Sequence, residues 1–223
     1  MHIPDGFIDL RTSAAFAAVS TVAVAGAVKG ARKQLSEQSA PLAGLTAVFI
    51  FAVQMLNFPV AAGTSGHLIG AALAMVLVGP YAATLALVVV LIIQAFLFAD
   101  GGLTALGLSI FNMAVISVWV SFAVFMLLKK IFPKTKSWLV VATFVSALIS
   151  VPAAAVGFVI QYAIGANATF SVGAVLNAMV GTHILIGIGE AIITALTVSA
   201  VLASRSDLVF GWDKKNTNLE IRS

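Results

Sequence analysis

Three nitrogen donors lie next to each other at the start of the chain, in Met1 and His2. The Met1 α-amine, the deprotonated His2 backbone amide and the His2 imidazole can hold one metal ion in two fused chelate rings, and a fourth nitrogen would complete a square plane. Ni(II) and Cu(II) favour this coordination, whereas Zn(II) prefers a tetrahedron. The pattern makes a Ni(II) or Cu(II) site a hypothesis, and the alternative for His2, which we favour from these residues alone, is a disordered chain end.

His67 is the candidate for the fourth donor. It follows the compact sequence Thr64-Ser65-Gly66, where a neighbouring segment can approach closely because glycine has no side chain. The alternative for His67 is a residue at a helix start that bonds local carbonyl groups. The chain has no cysteine, so thiolate ligands and cysteine nucleophiles are excluded, and metal donors must be nitrogen, oxygen or thioether.

The third histidine, His183, shares one helix face with Glu190 in the last apolar run of the chain. Ionisable residues inside a membrane span are candidates for function because they are costly to keep there. The alternative, which we favour from the sequence, is that both side chains form hydrogen bonds to neighbouring helices.

Composition requires that the elements holding these residues lie in a membrane. Of the 223 residues, 61% are hydrophobic and only 9% are charged, whereas soluble domains contain about 25% charged residues. The first ten residues contain two aspartates and no lysine or arginine, so they lack the basic start of a signal peptide and we expect the N-terminus to be retained. Residues 1–223 are therefore predicted to form a single transmembrane domain.

Seven apolar runs predict an all-α, polytopic membrane bundle of about seven transmembrane helices. A spanning helix needs about 20 residues, and the third run is too short to cross alone. Segment 58–67 before it must either extend the helix or enter the membrane as irregular chain, which must line a cavity or lie inside protein. We expect a loop that carries His67 to the base of an outward-facing pocket. The runs are 12–28, 41–57, 68–78, 81–98, 104–128, 138–164 and 172–203.

Basic residues predict the orientation of the bundle. With the N-terminus outside, every lysine and arginine except Arg11 falls on the cytoplasmic side, as the positive-inside rule requires. Residues 1–11 then form an extracytoplasmic metal-binding segment, and residues 204–223 form a cytoplasmic tail. The basic pI of 9.6 follows from this topology and does not indicate a nucleic-acid partner.

Four motifs resemble the NikM/CbiM family, the substrate-binding S components of energy-coupling-factor transporters for nickel and cobalt in prokaryotic cell (inner) membranes. The resemblance implies a helical membrane domain and a metal site formed by Met1, His2 and His67. The motifs are MHIPDGF at 1–7, MLNFPVAAGTSGHLIGA at 55–71, LIIQAFLFADGGLTALGLSIFNMA at 91–114 and THILIGIGEAIIT at 182–194.

Polar residues in or near these motifs are candidates to support the ligands. Asn57, Gln94 and Asp100 fall on the predicted outer side, and with His183 they are the candidates to accept the second ring proton of a ligand imidazole. The alternative for each is a helix cap or a hydrogen bond between helices.

The activity that the resemblance implies is capture of Ni(II), or Co(II), as a transported ligand for ATP-driven uptake, without enzymatic catalysis and without a resident cofactor. The chain contains no GxxxxGK[ST] phosphate loop, so ATP hydrolysis must come from other subunits. The implied partners are membrane lipid, a transmembrane coupling protein, two ATP-binding cassette ATPases and a small auxiliary membrane subunit. The alternative is a stand-alone permease for a divalent transition metal, driven by protons through Glu190 and His183.

Overall fold

The computed structural model describes residues 1–34, 40–60 and 64–212. Within these ranges the chain forms seven helices and one short hairpin, which confirms the predicted all-α bundle. The helices are α1 (Leu10–Gln34), α2 (Ala40–Gln54), α3 (Ala71–Val78), α4 (Pro80–Leu97), α5 (Leu106–Ile131), α6 (Lys136–Gly165) and α7 (Val172–Ser204), and the strands are β1 (Phe58–Val60) and β2 (Thr64–Gly66).

Five of these helices, α1, α4, α5, α6 and α7, are long and apolar enough to cross a membrane. Helix α2 has 15 residues and α3 has only 8, so the prediction that the third run is short is confirmed, and the second is also shorter than a full span. Helix α3 is short because Gly70 and Gly79, both with positive φ, bound it, and Pro80 then begins α4. The orientation of the bundle stays a prediction.

The segment predicted as a loop contains a hairpin. Strands β1 and β2 pair antiparallel, with Phe58 opposite Gly66 and Val60 opposite Thr64, and residues 61–63 lie outside the described ranges. His67 follows the second strand directly. The hairpin therefore fixes the backbone on one side of His67, where the sequence alone indicated only a compact irregular segment.

The predicted cytoplasmic tail is described only in part. Helix α7 ends at Ser204, a short 3₁₀ turn covers Ser206–Leu208, and the Phe210 amide donates to the Val76 carbonyl at 2.9 Å. This contact packs the start of the tail against the end of α3. Residues 213–223 lie outside the described ranges.

The first nine residues pack into the bundle instead of forming a free chain end. The Gly102 amide donates to the Ile3 carbonyl at 2.8 Å, and the Asp9 amide donates to the Gly165 carbonyl at 2.8 Å. The Phe7 ring packs on Tyr162 with a centroid separation of 5.0 Å. Residues 1–9 are therefore held between the loop that precedes α5 and the end of α6.

Asp5 provides a side-chain anchor for this N-terminal segment. Its carboxyl group accepts hydrogen bonds from the Thr104 amide at 2.8 Å, the Thr104 hydroxyl at 2.5 Å and the Leu103 amide at 3.3 Å. These bonds lower the pKa of the Asp5 carboxyl, since each stabilises its ionised form. Asp5 thus ties the segment to the start of α5 and helps to set the position of Met1 and His2.

Candidate metal centre

The structure brings Met1, His2 and His67 together in the interior of the bundle. Met1 and His67 are 0% exposed and His2 is 4% exposed. The two imidazole rings stack with centroids 4.7 Å apart and an interplanar angle of 28°. The Met1 amine lies close enough to both rings to interact with them electrostatically. The three ligands predicted from the sequence therefore form one cluster.

Hydrogen bonds indicate which ring nitrogen of His67 is available to bind a metal ion. His67 Nδ1 lies 2.8 Å from the Leu68 carbonyl, so this nitrogen carries the proton and Nε2 keeps its lone pair. Nε2 is buried and has no hydrogen-bond partner among the described residues. A buried lone pair without a partner is costly in an apolar interior, and a bound cation would satisfy it.

In His2 the donor is Nδ1, because the chelate ring that starts at the His2 backbone amide closes through this nitrogen. His2 Nε2 is then left for a supporting residue, and Asp100 Oδ2 lies 3.5 Å from it. The same Asp100 oxygen accepts a hydrogen bond from Asn57 Nδ2 at 2.8 Å. Asp100 and Asn57 are therefore placed where a carboxylate and its own partner would orient a ligand imidazole.

Burial keeps the proposed donors neutral. It lowers the pKa of the Met1 amine to about 4, against an opposing effect of Asp100. Burial, assisted by the nearby amine, lowers the pKa of His2 to about 3 and that of His67 well below its usual value. The contact of His2 with Asp100 is thus a contact of a neutral ring with a carboxyl group, and the lone pairs are free to bind metal at neutral pH.

Docking of the N-terminal segment is expected to weaken as the pH falls. The pKa of the Met1 amine drops from 8.0 to about 4 and that of His2 from 6.5 to about 3, so the docked segment holds fewer protons than a released one. Proton uptake by the released segment therefore opposes docking, below pH 8.0 at the amine and below pH 6.5 at His2, by up to about tenfold per pH unit for each group. Nickel affinity in a competition titration should fall steadily from about pH 8 to about pH 5, and a constant affinity would contradict this.

Gly101 lets the loop before α5 pass close to His2. Its φ is +94°, and a Cβ placed there would lie 3.1 Å from His2 Nδ1 and 3.2 Å from His2 Cβ. We expect Gly101→Ala to weaken nickel binding by about 10-fold or more, because the methyl group would crowd the ring nitrogen proposed to bind the ion, an effect at least as large as that of disturbing a supporting group. A calorimetric titration measures this. Gly44→Ala is the control, because nothing lies within 4 Å of the added methyl group, and it should bind like the wild type.

Among the described residues, Asp100 contacts His2 Nε2 at 3.5 Å without a hydrogen bond, the Asn57 side chain bonds only Asp100, and Gln94 and His183 do not bond the ligand rings. Both side-chain polar atoms of Gln94 are buried and without a partner among the described residues, while its backbone carbonyl accepts from the Asp100 amide at 3.0 Å. His183 Nδ1 lies 2.7 Å from the carbonyl of Met179 in its own helix, although the ring is close enough to His67 for an electrostatic interaction. Their roles in binding stay predictions.

Glu190 makes contacts that the sequence did not predict. We expected it to bond neighbouring helices, but its carboxyl group accepts from the backbone amides of Ile69 at 2.6 Å and Gly70 at 3.0 Å, in the turn just after His67. Its position within an apolar run is the signal that singled it out.

Ser109 is a residue that the sequence did not indicate, and its hydroxyl accepts from the Ile3 amide at 3.5 Å.

Side chains alone do not make the centre. Among the described residues, no group of three or more histidine, aspartate or glutamate side chains is arranged to hold a metal ion. The stacked imidazoles of His2 and His67 offer two nitrogen donors, and the Met1 amine and the His2 backbone amide are the further donors that the sequence predicts. This composition matches the planar, all-nitrogen set that the first two residues suggest.

Comparison with known proteins gives consistent matches over nearly the whole chain. The family model CbiM, cobalt uptake substrate-specific transmembrane region, matches residues 2–208. The chain is 39% identical over 221 residues to a putative metal transport protein of Haloquadratum walsbyi, covering 98% of this chain and 97% of that protein. It is 38% identical over 209 residues to a putative fused nickel transport protein, NikMN, of Archaeoglobus fulgidus, covering 94% and 68%. The crystal structure of a truncated transition metal transporter superposes with a TM-score of 0.83 at 31% identity, covering 91% of this chain and 99% of that one.

Proposed function

Because this chain belongs to the CbiM family of nickel and cobalt transport proteins, we propose that it captures Ni(II), or Co(II), from outside the cell for uptake. The Met1 amine, the His2 amide, His2 Nδ1 and His67 Nε2 bind the ion. The observation that carries the proposal is the buried cluster in which Met1 lies with the stacked rings of His2 and His67. Asp100 and Asn57 orient His2.

The donor set supports nickel in preference to zinc. Four nitrogen atoms, three of them tied into two fused chelate rings, impose a plane, which suits Ni(II) and excludes the tetrahedron that Zn(II) prefers. Cobalt remains in the proposal because the matching family model describes cobalt uptake. A competition titration of the purified protein with Ni(II), Co(II) and Zn(II) tests this order, and tighter binding of Zn(II) than of Ni(II) would contradict the planar site.

We propose further that the chain acts as the S component of an energy-coupling-factor transporter in a prokaryotic cell membrane. Its partners are a transmembrane coupling protein, two ATP-binding cassette ATPases and a small auxiliary membrane subunit. Two observations support this role: the sequence has no phosphate loop of its own, and its basic residues favour an external N-terminus. The chain captures the ion, and its partners supply the energy.

The alternative of a proton-driven permease has less support. Backbone amides donate to both oxygens of the Glu190 carboxyl, and these bonds stabilise its ionised form. Nδ1 of His183 is likewise engaged by the Met179 carbonyl. These bonds favour a structural use of both residues.

Uptake of radioactive nickel separates the two mechanisms. Cells without their own nickel uptake system would express the chain alone or together with a coupling protein and its ATPases. We expect ATP-dependent accumulation with the partners, and its loss when the phosphate-loop lysine of the ATPases is substituted. Accumulation by the chain alone that a protonophore abolishes would instead support the permease.

A further inference from the structure

Glu190 joins the middle of α7 to the turn that follows His67. The residue is 2% exposed, and its two carboxyl oxygens accept separate hydrogen bonds, from the Ile69 amide at 2.6 Å and the Gly70 amide at 3.0 Å. A carboxyl group is expensive to keep inside an apolar bundle, and an apolar side chain would pack there without that cost. The two hydrogen bonds therefore point to a role for Glu190 in holding this turn, in addition to packing.

The same turn is also held by α2. Gln54 Nε2 donates to the Ile69 carbonyl at 2.7 Å. Gly70 has φ +77°, and a Cβ at this position would lie 2.9 Å from Cγ1 of Ile50, so the turn lies tightly against that helix. The backbone of residues 69–70 is thus clamped between α2 and α7 by hydrogen bonds to both its amides and its carbonyl.

The orientation of the His67 ring depends on this clamped backbone. His67 Nδ1 bonds the Leu68 carbonyl at 2.8 Å, and Leu68 immediately precedes the two amides that Glu190 holds. A shift of the turn moves the Leu68 carbonyl, and the imidazole must then rotate to keep its hydrogen bond. Glu190 therefore acts on Nε2, the proposed donor atom, through one short segment of backbone.

We propose that Glu190 is a positioning residue that fixes His67 in the plane of the other three nitrogen donors and so sets the preference for planar over tetrahedral ions. The inference rests on the proposed function, since it assigns a role within that metal site. Three donors of the first two residues define the plane by their chelate rings, whereas the fourth is joined to them only through the fold. Without the bonds from Glu190, His67 can leave the plane, and Zn(II) becomes a better competitor.

The test compares variants of the purified full chain by metal titration and by the visible absorption of the Ni(II) complex. For Glu190→Ala we expect nickel affinity to fall by about 10- to 100-fold, as for other groups that orient a ligand. The preference for Ni(II) over Zn(II) should become smaller. The Ni(II) absorption band should shift toward the band of the His67→Ala variant. Glu190→Gln keeps one acceptor oxygen and should be intermediate. It also provides a test if the alanine variant does not fold.

Gln161→Ala is the matched control. It removes a buried polar side chain from the same bundle, but the hydrogen bonds of Gln161 go to Asn112 and the Leu108 carbonyl. We expect it to lower thermal stability and to leave the Ni(II) band and the metal preference unchanged. If both Glu190 variants also lose only stability, with the wild-type band and preference, the positioning role is overturned. A wild-type complex without a planar Ni(II) band, or a His67→Ala variant with an unchanged band, would overturn the proposed site itself.

Discussion

Insertion of two alanines between Met1 and His2 is expected to abolish nickel binding by the purified protein. The insertion separates the amine from the His2 amide and imidazole, so the two fused chelate rings cannot form. It also pushes the chain end out of an interior in which Met1 is 0% exposed. The loss should greatly exceed the roughly 10- to 100-fold effect of disturbing a group behind a ligand. Equilibrium dialysis measures the bound nickel, and mass spectrometry of the wild type checks that Met1 carries a free amine.

A single inserted alanine is the informative control for this prediction. Histidine in the third position can complete a plane by itself, with the amine, two backbone amides and its own imidazole. This variant should therefore keep a planar Ni(II) complex, but the complex should no longer depend on His67. Unchanged nickel stoichiometry in the two-residue insertion would rule out the Met1 amine as a donor.

The second large effect is expected for His67→Ala. The substitution removes the fourth donor and leaves three nitrogens that cannot close the plane, so we expect affinity for Ni(II) to fall by more than about 100-fold, beyond the range for supporting groups. Because His67 is 0% exposed, the truncated side chain leaves a buried space of the shape of an imidazole. Added imidazole should therefore restore part of the binding, as measured by titration calorimetry.

His183→Ala is the matched control, because it removes another buried imidazole from the same bundle. The ring of His183 bonds the Met179 carbonyl of its own helix, so the substitution leaves all four proposed donors in place. We expect a much smaller loss of affinity, with no rescue by imidazole. Equal losses in the two variants, with no rescue of His67→Ala by imidazole, would indicate that the effect does not come from ligation by His67.

The sequence predicted most of the fold because each helix carries its own signal. Apolar runs and their breaks predicted all seven helices, and the pair Gly79-Pro80 predicted the boundary between α3 and α4. The hairpin at 58–66 was not predicted as a pair of strands, because strand pairing depends on partners that the local pattern does not identify. Its three-residue strands are also too short to show an alternating pattern.

The site was predictable as chemistry and less so as geometry. The donor types at Met1 and His2 and the break before His67 predicted which residues meet. The contact of Asp100 with His2 depends on how residues 1–9 dock against the loop before α5, and local sequence does not contain this arrangement. The bonds of Glu190 to Ile69 and Gly70 span some 120 positions of the chain, so only the packing of α7 against the turn reveals them.

The first nine residues are held by hydrogen bonds at Ile3, Asp5 and Asp9 and by the packing of Phe7, and three of the four proposed donors belong to Met1 and His2. Withdrawal of this segment would remove those three donors together and leave the ion on one imidazole. Coordination would then end in a single event, without a series of partly bound states. The strength with which the segment adheres to the bundle, and not the strength of any one metal–nitrogen bond, would set the lifetime of the bound ion.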